Sequence, residues 1–151
     1  MNHWDSLDDA LDFAIEKEQE AVDFYTDLAT QAKNPLSRKV FEDFAREEKG
    51  HKAKLESVKR GKLELRSTKN IVDLKISDYL VDVEPGPNLD FQQALILAMK
   101  REKAAFRLYT DLAEQMDDPK IRGVFLLLAQ EEAKHKLRFE IEYDDKIYAE
   151  N

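Results

Sequence analysis

Glu18, Glu48 and His51 recur, 84 residues further along the chain, as Glu102, Glu132 and His135. The three sit inside a longer duplication. Residues 11–52 align without a gap onto residues 95–136, with 19 of 42 positions identical, among them Tyr25/Tyr109 and the string Tyr-Thr-Asp-Leu-Ala at 25–29 and 109–113. Carboxylates and imidazoles are the common donors to first-row divalent metals. Four of the first and two of the second, placed twofold-symmetrically, complete the ligand set of a dinuclear metal site.

These residues need helices to position them. Four amphipathic helical stretches can be read. The first opens near Ser6, a candidate N-cap with Asp8 and Asp9 in the first turn, and runs to about Ala32. Asn34-Pro35 marks a turn, and the second stretch begins at Pro35 and runs to about Arg60-Gly61. The third opens after Pro85-Gly86-Pro87, with Asn88 as candidate N-cap, and ends near Met116. Asp118-Pro119 repeats the earlier turn, and the fourth stretch runs into the 140s. About 27 residues, Lys62 to Asn88, separate the two hairpins. That length spans a bundle about 45 Å long, and its apolar positions (Ile71, Val72, Leu74, Ile76, Tyr79, Leu80) fit either a short helix or an extended strip. Two short-linked hairpins and one long crossover predict an all-α, ferritin-like four-helix bundle, a single domain over residues 1–151.

The apolar seams of these helices carry the chemistry. Leu11, Ala14, Glu18, Ala21, Tyr25 and Leu28 fall on one face of the first helix, and Leu95, Ala98, Glu102, Ala105, Tyr109 and Leu112 repeat them on the third. The second reads Phe41, Phe44, Glu48, His51, Leu55, and the fourth Phe125, Leu128, Glu132, His135, Phe139. Each seam is interrupted by ionisable residues and none contains Lys or Arg. An uncompensated buried carboxylate costs several kcal/mol, against a domain stability of roughly 5–15 kcal/mol. Two divalent ions balance four glutamates. Height agrees as well: Glu18 lies 16 residues before position 34 and Glu48 lies 14 after it, which puts the two within roughly one helical turn of each other. Glu16, Glu20, Glu42, Glu47 and Glu131 fall off the seams and are read as solvated decoration. Tyr25 and Tyr109 suit either space-filling or hydrogen bonds to the metal carboxylates. His3 lies outside every pattern.

Composition excludes other classes. A formal charge of −8 offers no basic face for nucleic acid. The longest apolar run, Val124–Ala129, is too short to cross a bilayer, and the N-terminal residues lack the pattern of a secretion signal. The absence of cysteine rules out disulfides and a built-in iron–sulfur or rubredoxin-type centre within these residues. A cytoplasmic location is the expectation. Phe24, Phe106, Leu126 and Leu127 lie off the metal seams and call for cover, from the crossover or from a second subunit, so a homodimer is expected.

The motifs Glu18-x-x-Ala21-x-x-x-Tyr25 with Glu48-x-x-His51, and Glu102-x-x-Ala105-x-x-x-Tyr109 with Glu132-x-x-His135, resemble the rubrerythrin-like branch of the ferritin-like di-iron carboxylate proteins. The resemblance covers about residues 5–145. It implies two iron ions, replaceable by manganese or zinc, with Glu48 and Glu132 bridging, Glu18 and Glu102 terminal, and His51 and His135 each capping one ion. It also implies reaction of Fe(II) with hydrogen peroxide or dioxygen, in protection against oxidative stress. Rubrerythrins carry a cysteine-bearing rubredoxin-like domain that feeds electrons to this centre. Without those cysteines the electrons come from an external donor such as a rubredoxin-like protein. Rubrerythrins also tend to carry an extra glutamate on the third helix, where this chain has Ala105; the six-ligand site is therefore closer to a symmetric ferroxidase or oxidase centre. Ferritin-type iron sequestration and a non-catalytic, metal-stabilised helical module are the competing readings.

Overall fold

A computed structural model describes the backbone of residues 7–65 and 91–150, and the side chains of 7–61 and 91–144. Four helices account for it: α1 (Leu7–Gln31), α2 (Pro35–Leu65), α3 (Phe91–Glu114) and α4 (Pro119–Glu150). α1 packs on α2 and α3 on α4, giving two helical hairpins, each a compact unit. The described residues contain no strand. The protein is all-α, the class expected of a ferritin-like chain built from two hairpins. No described helix is long and apolar enough to cross a membrane.

The duplication reaches into the hairpin turns. In the first, Asn34 caps α2: its Oδ1 accepts from the Leu36 amide at 2.8 Å, and Pro35 takes the first helical position, where a missing N–H costs nothing. In the second, Asp118 Oδ1 accepts from the Lys120 amide at 2.9 Å ahead of Pro119. Arg38 then reaches back to donate to the Ala32 carbonyl at 3.2 Å, and Arg122 donates to the Met116 carbonyl through Nη2 at 2.6 Å. Each arginine therefore satisfies a carbonyl left over at the end of the preceding helix.

The boundaries differ from the expected ones in two places. α2 does not stop at Gly61 but continues to Leu65. A glycine inside a helix costs only about 1 kcal/mol relative to alanine, and Lys62-Leu63-Glu64-Leu65 are strong helix formers. The first residues of the expected crossover thus belong to α2. α3 ends at Glu114 rather than Met116, the last two residues closing in tighter bonds from Gln115 to Leu112 and Met116 to Ala113. Ser6, His3, the Pro85-Gly86-Pro87 stop, the Asn88 cap and the apolar positions of the crossover lie outside the described residues.

The seams are buried nearly as predicted. In α1 and α3 all positions except Ala21 and Ala105 are inaccessible, and these two are half-buried in both copies. In α2 only Phe44 is half-buried, and in α4 the whole seam is buried. Phe24, expected to need cover, is buried against Tyr25, whereas Phe106, Leu126 and Leu127 stay exposed.

Candidate metal centre

Among the described residues, the buried polar or charged side chains are six: Glu18, Glu48, His51, Glu102, Glu132 and His135, each 3% exposed or less. These are the six seam residues of the sequence reading. The off-seam glutamates Glu16, Glu42 and Glu47 are exposed, and Glu20 and Glu131 are half-buried. Burial therefore separates the two sets of glutamates as helical phase does.

In the first hairpin, α1 supplies Glu18, and α2 supplies Glu48 and His51 from successive turns of one face. One donor atom from each lies within 4.8 Å of the others. His51 Nδ1 is 3.5 Å from a Glu48 oxygen and 3.7 Å from a Glu18 oxygen. In the second hairpin Glu102 of α3 meets Glu132 and His135 of α4 within the same limit, and His135 Nδ1 is 3.6 Å from a Glu102 oxygen. In both copies Nδ1 is the imidazole nitrogen turned toward the carboxylates.

These separations test whether a metal fits. They are longer than a well-formed N–H···O bond. Two ligand atoms each ~2.1 Å from a common ion lie at most about 4 Å apart, so 3.5–3.7 Å suits neighbouring ligands of one cation. The charge agrees. No Lys or Arg is buried among the described residues, so no buried basic side chain balances the carboxylates. A pair of hard carboxylates and one imidazole in each hairpin accepts Fe, Mn or Zn ions.

Tyr25 and Tyr109 are fully buried. Tyr25 meets Phe44 of α2 edge-on at 6.0 Å between centroids, and Tyr109 stacks on Phe125 of α4 at 6.3 Å. The space-filling role is thus met in both hairpins, with different partners. One contact at ligand height was missed from sequence. Lys52 donates to Gln19 Oε1 at 2.8 Å, tying α2 to α1 one residue beyond His51 and Glu18. The offset of 84 replaces this pair by Lys103 and Lys136, two like charges, and Lys136 turns instead to Glu140 on its own helix. Gln and Lys on helix surfaces are too common to signal such a tie.

Comparison with known proteins bears on the same residues. The family model described as Rubrerythrin matches residues 9–143, a span that contains all six buried Glu and His residues and both tyrosines. Among solved structures, a hypothetical protein from Pyrococcus furiosus is similar over 92% of this chain and 89% of its own, with a TM-score of 0.72 and 26% identity. No curated protein matches significantly.

Proposed function

The chain belongs to the rubrerythrin family, one of di-iron carboxylate proteins, and from that premise we propose that its two Glu-Glu-His triads together hold two iron ions that react with hydrogen peroxide or dioxygen. The observation that carries this reading is the selective burial of Glu18, Glu48, His51, Glu102, Glu132 and His135. Glu48 and Glu132 would be shared between the ions, Glu18 and Glu102 would each bind one, and His51 and His135 would each add one imidazole donor. Four carboxylates then balance the charge of two ferrous ions. As hard anionic donors they favour the ferric state more than neutral donors do, which makes the bound ions reducing. When bound, iron supplies the two electrons that, with two protons, turn hydrogen peroxide into two waters and leave both ions ferric.

The protein's own part is to hold and shield. The apolar residues on either side of each triad, Phe41 and Leu55 in α2 and Phe125 and Phe139 in α4, are inaccessible and keep bulk water from the carboxylates. Six protein ligands leave coordination positions for a small oxidant. We assign to Tyr25 and Tyr109, buried on the same helix faces as Glu18 and Glu102, the further role of steadying those carboxylates by hydrogen bonds from their hydroxyls. Return to the ferrous state draws on a separate electron donor such as a rubredoxin-like protein, because these 151 residues contain no cysteine.

Anaerobic loading with Fe(II), followed by absorbance on adding peroxide and then air, tests the proposal. Near-ultraviolet absorption of ferric carboxylate should grow within seconds of mixing. Iron that binds but stays ferrous with both oxidants would make the metal structural and overturn the redox reading.

A further inference from the structure

A groove of about 470 Å³ lies between α1 and α2, on the turn side of the first triad. Cavities of roughly 300–1,000 Å³ hold small-molecule ligands. Its floor is made of small side chains, the buried Ala29 and Ala45. Arg38, Arg46 and Lys49 line it, together with a single carboxylate, that of Glu42. The groove is thus net positive in a chain whose formal charge is −8.

The duplication supplies an internal reference. At the offset of 84 the floor is kept, for Ala113 and Ala129 are buried as Ala29 and Ala45 are. The walls are not kept. Thr30, Arg46 and Lys49 are replaced by Glu114, Gln130 and Ala133. Arg38 does recur, as Arg122, and both arginines are tied to the carbonyl that ends the preceding helix. Arg38 therefore belongs to the turn, whereas Arg46 and Lys49 are additions to the first copy alone. A hairpin of this design folds without them.

Arg46 and Lys49 stand three residues apart on α2, so two positive charges share one face. The Lys49 ammonium makes no hydrogen bond or ion pair among the described residues. Arg46 gives one nitrogen to Asp43 and keeps its other N–H groups. The hydroxyls of Thr26 and Thr30 already donate to the Val22 and Asp27 carbonyls, at 2.7 Å each. Donors for a ligand therefore come from the cations. A guanidinium fork beside an ammonium group suits an oxyanion. A phosphate group carries about −1.5 to −2 near neutral pH and so matches both charges, which a single carboxylate does not.

We propose that this groove binds the phosphate group of a small molecule, seated between Arg46 and Lys49. Arg38 lies eleven residues before Lys49, about 16 Å away along α2. The stretch of groove toward Arg38 and Glu42 is left for the rest of the molecule. The site is separate from the triads and adds a binding function to the first hairpin that the second lacks.

Isothermal titration calorimetry of the full, iron-loaded chain with inorganic phosphate and with glycerol 3-phosphate tests this. One equivalent per chain should bind at a site that Arg46→Gln, Lys49→Gln weakens about tenfold or more, with helicity and iron content unchanged. Phosphate held by the metal ions would be untouched by that change. A transfer in the other direction does not depend on the loss. Glu114→Thr, Gln130→Arg, Ala133→Lys builds the same walls over the floor of the second hairpin and should add one equivalent. Tighter binding of glycerol 3-phosphate identifies an esterified phosphate as the ligand, and tighter binding of inorganic phosphate the free ion; both rest on the same two residues. A count that stays unchanged after the transfer would mean that the two cations do not define the site. Failure of both phosphates to bind, affinity unaltered in the double glutamine variant, or acetate bound as tightly as phosphate would equally overturn the proposal.

Discussion

Glu48 and Glu132 differ from Glu18 and Glu102 only in the helix that carries them, yet the proposed centre gives them different work. A bridging carboxylate contacts both ions and a terminal one contacts a single ion. Glu48→Ala or Glu132→Ala should therefore remove most of the bound metal, whereas Glu18→Ala should leave about half, as read by metal content per chain. Equal losses in all three variants would refute the bridging assignment. The burial of the six Glu and His residues was legible in the sequence because each interrupts an apolar seam in phase, which no solvated glutamate has reason to do. The Gln19–Lys52 tie was not, since nothing in the type or spacing of two surface residues marks a contact 33 positions apart. Lys59 illustrates the same blind spot. Its pairing with Asp12 across the first hairpin raises its pKa, first through the hydrogen bond and then through the charge. A cation whose folded pKa is raised contributes stability that is complete below the ordinary lysine value of 10.5 and is lost as pH rises through the folded value. Thermal melts should show a small advantage of wild type over Asp12→Asn at neutral pH, and that advantage should vanish in strong alkali.

At the scale of elements, both hairpin turns rest on the same devices, and these can be removed one at a time. Replacing Asn34 or Asp118 by alanine deprives a helix of its cap and should cost about 1 kcal/mol each in urea denaturation. Arg38→Ala or Arg122→Ala, which frees a helix-end carbonyl, should cost a similar amount. Arg122 is the more sensitive test because two of its nitrogens donate to the same oxygen. The prolines of these turns announced the start of α2 and α4 correctly, since proline fixes the first helical dihedral angle. Gly61 misled because glycine stops a helix only when the backbone beyond it turns away, and the residues after it favour continuing. The half-burial of Ala21 and Ala105, identical in both copies, is likewise invisible in the helical phase, which places them on the seam.

For the whole molecule the ion charge is the controlling quantity. In each hairpin two buried carboxylates lie close together without a basic side chain to balance them, so the iron-free chain should melt at a lower temperature than the loaded one, and the gap should widen with free metal concentration. Calorimetry on the chelated and the reconstituted protein measures it; identical curves would mean that metal does not bind the folded chain. Particle size separates redox chemistry from iron storage, because storage needs a closed shell of many subunits. The central claim is that the two triads form one dinuclear centre, and electron paramagnetic resonance of the iron-loaded, peroxide-oxidised chain tests it most directly. Two iron ions per chain, both ferric and spin-coupled so that no signal of isolated ferric ions remains, is the predicted result. One iron per chain, or two that each give the signal of an isolated high-spin ferric ion, would contradict it.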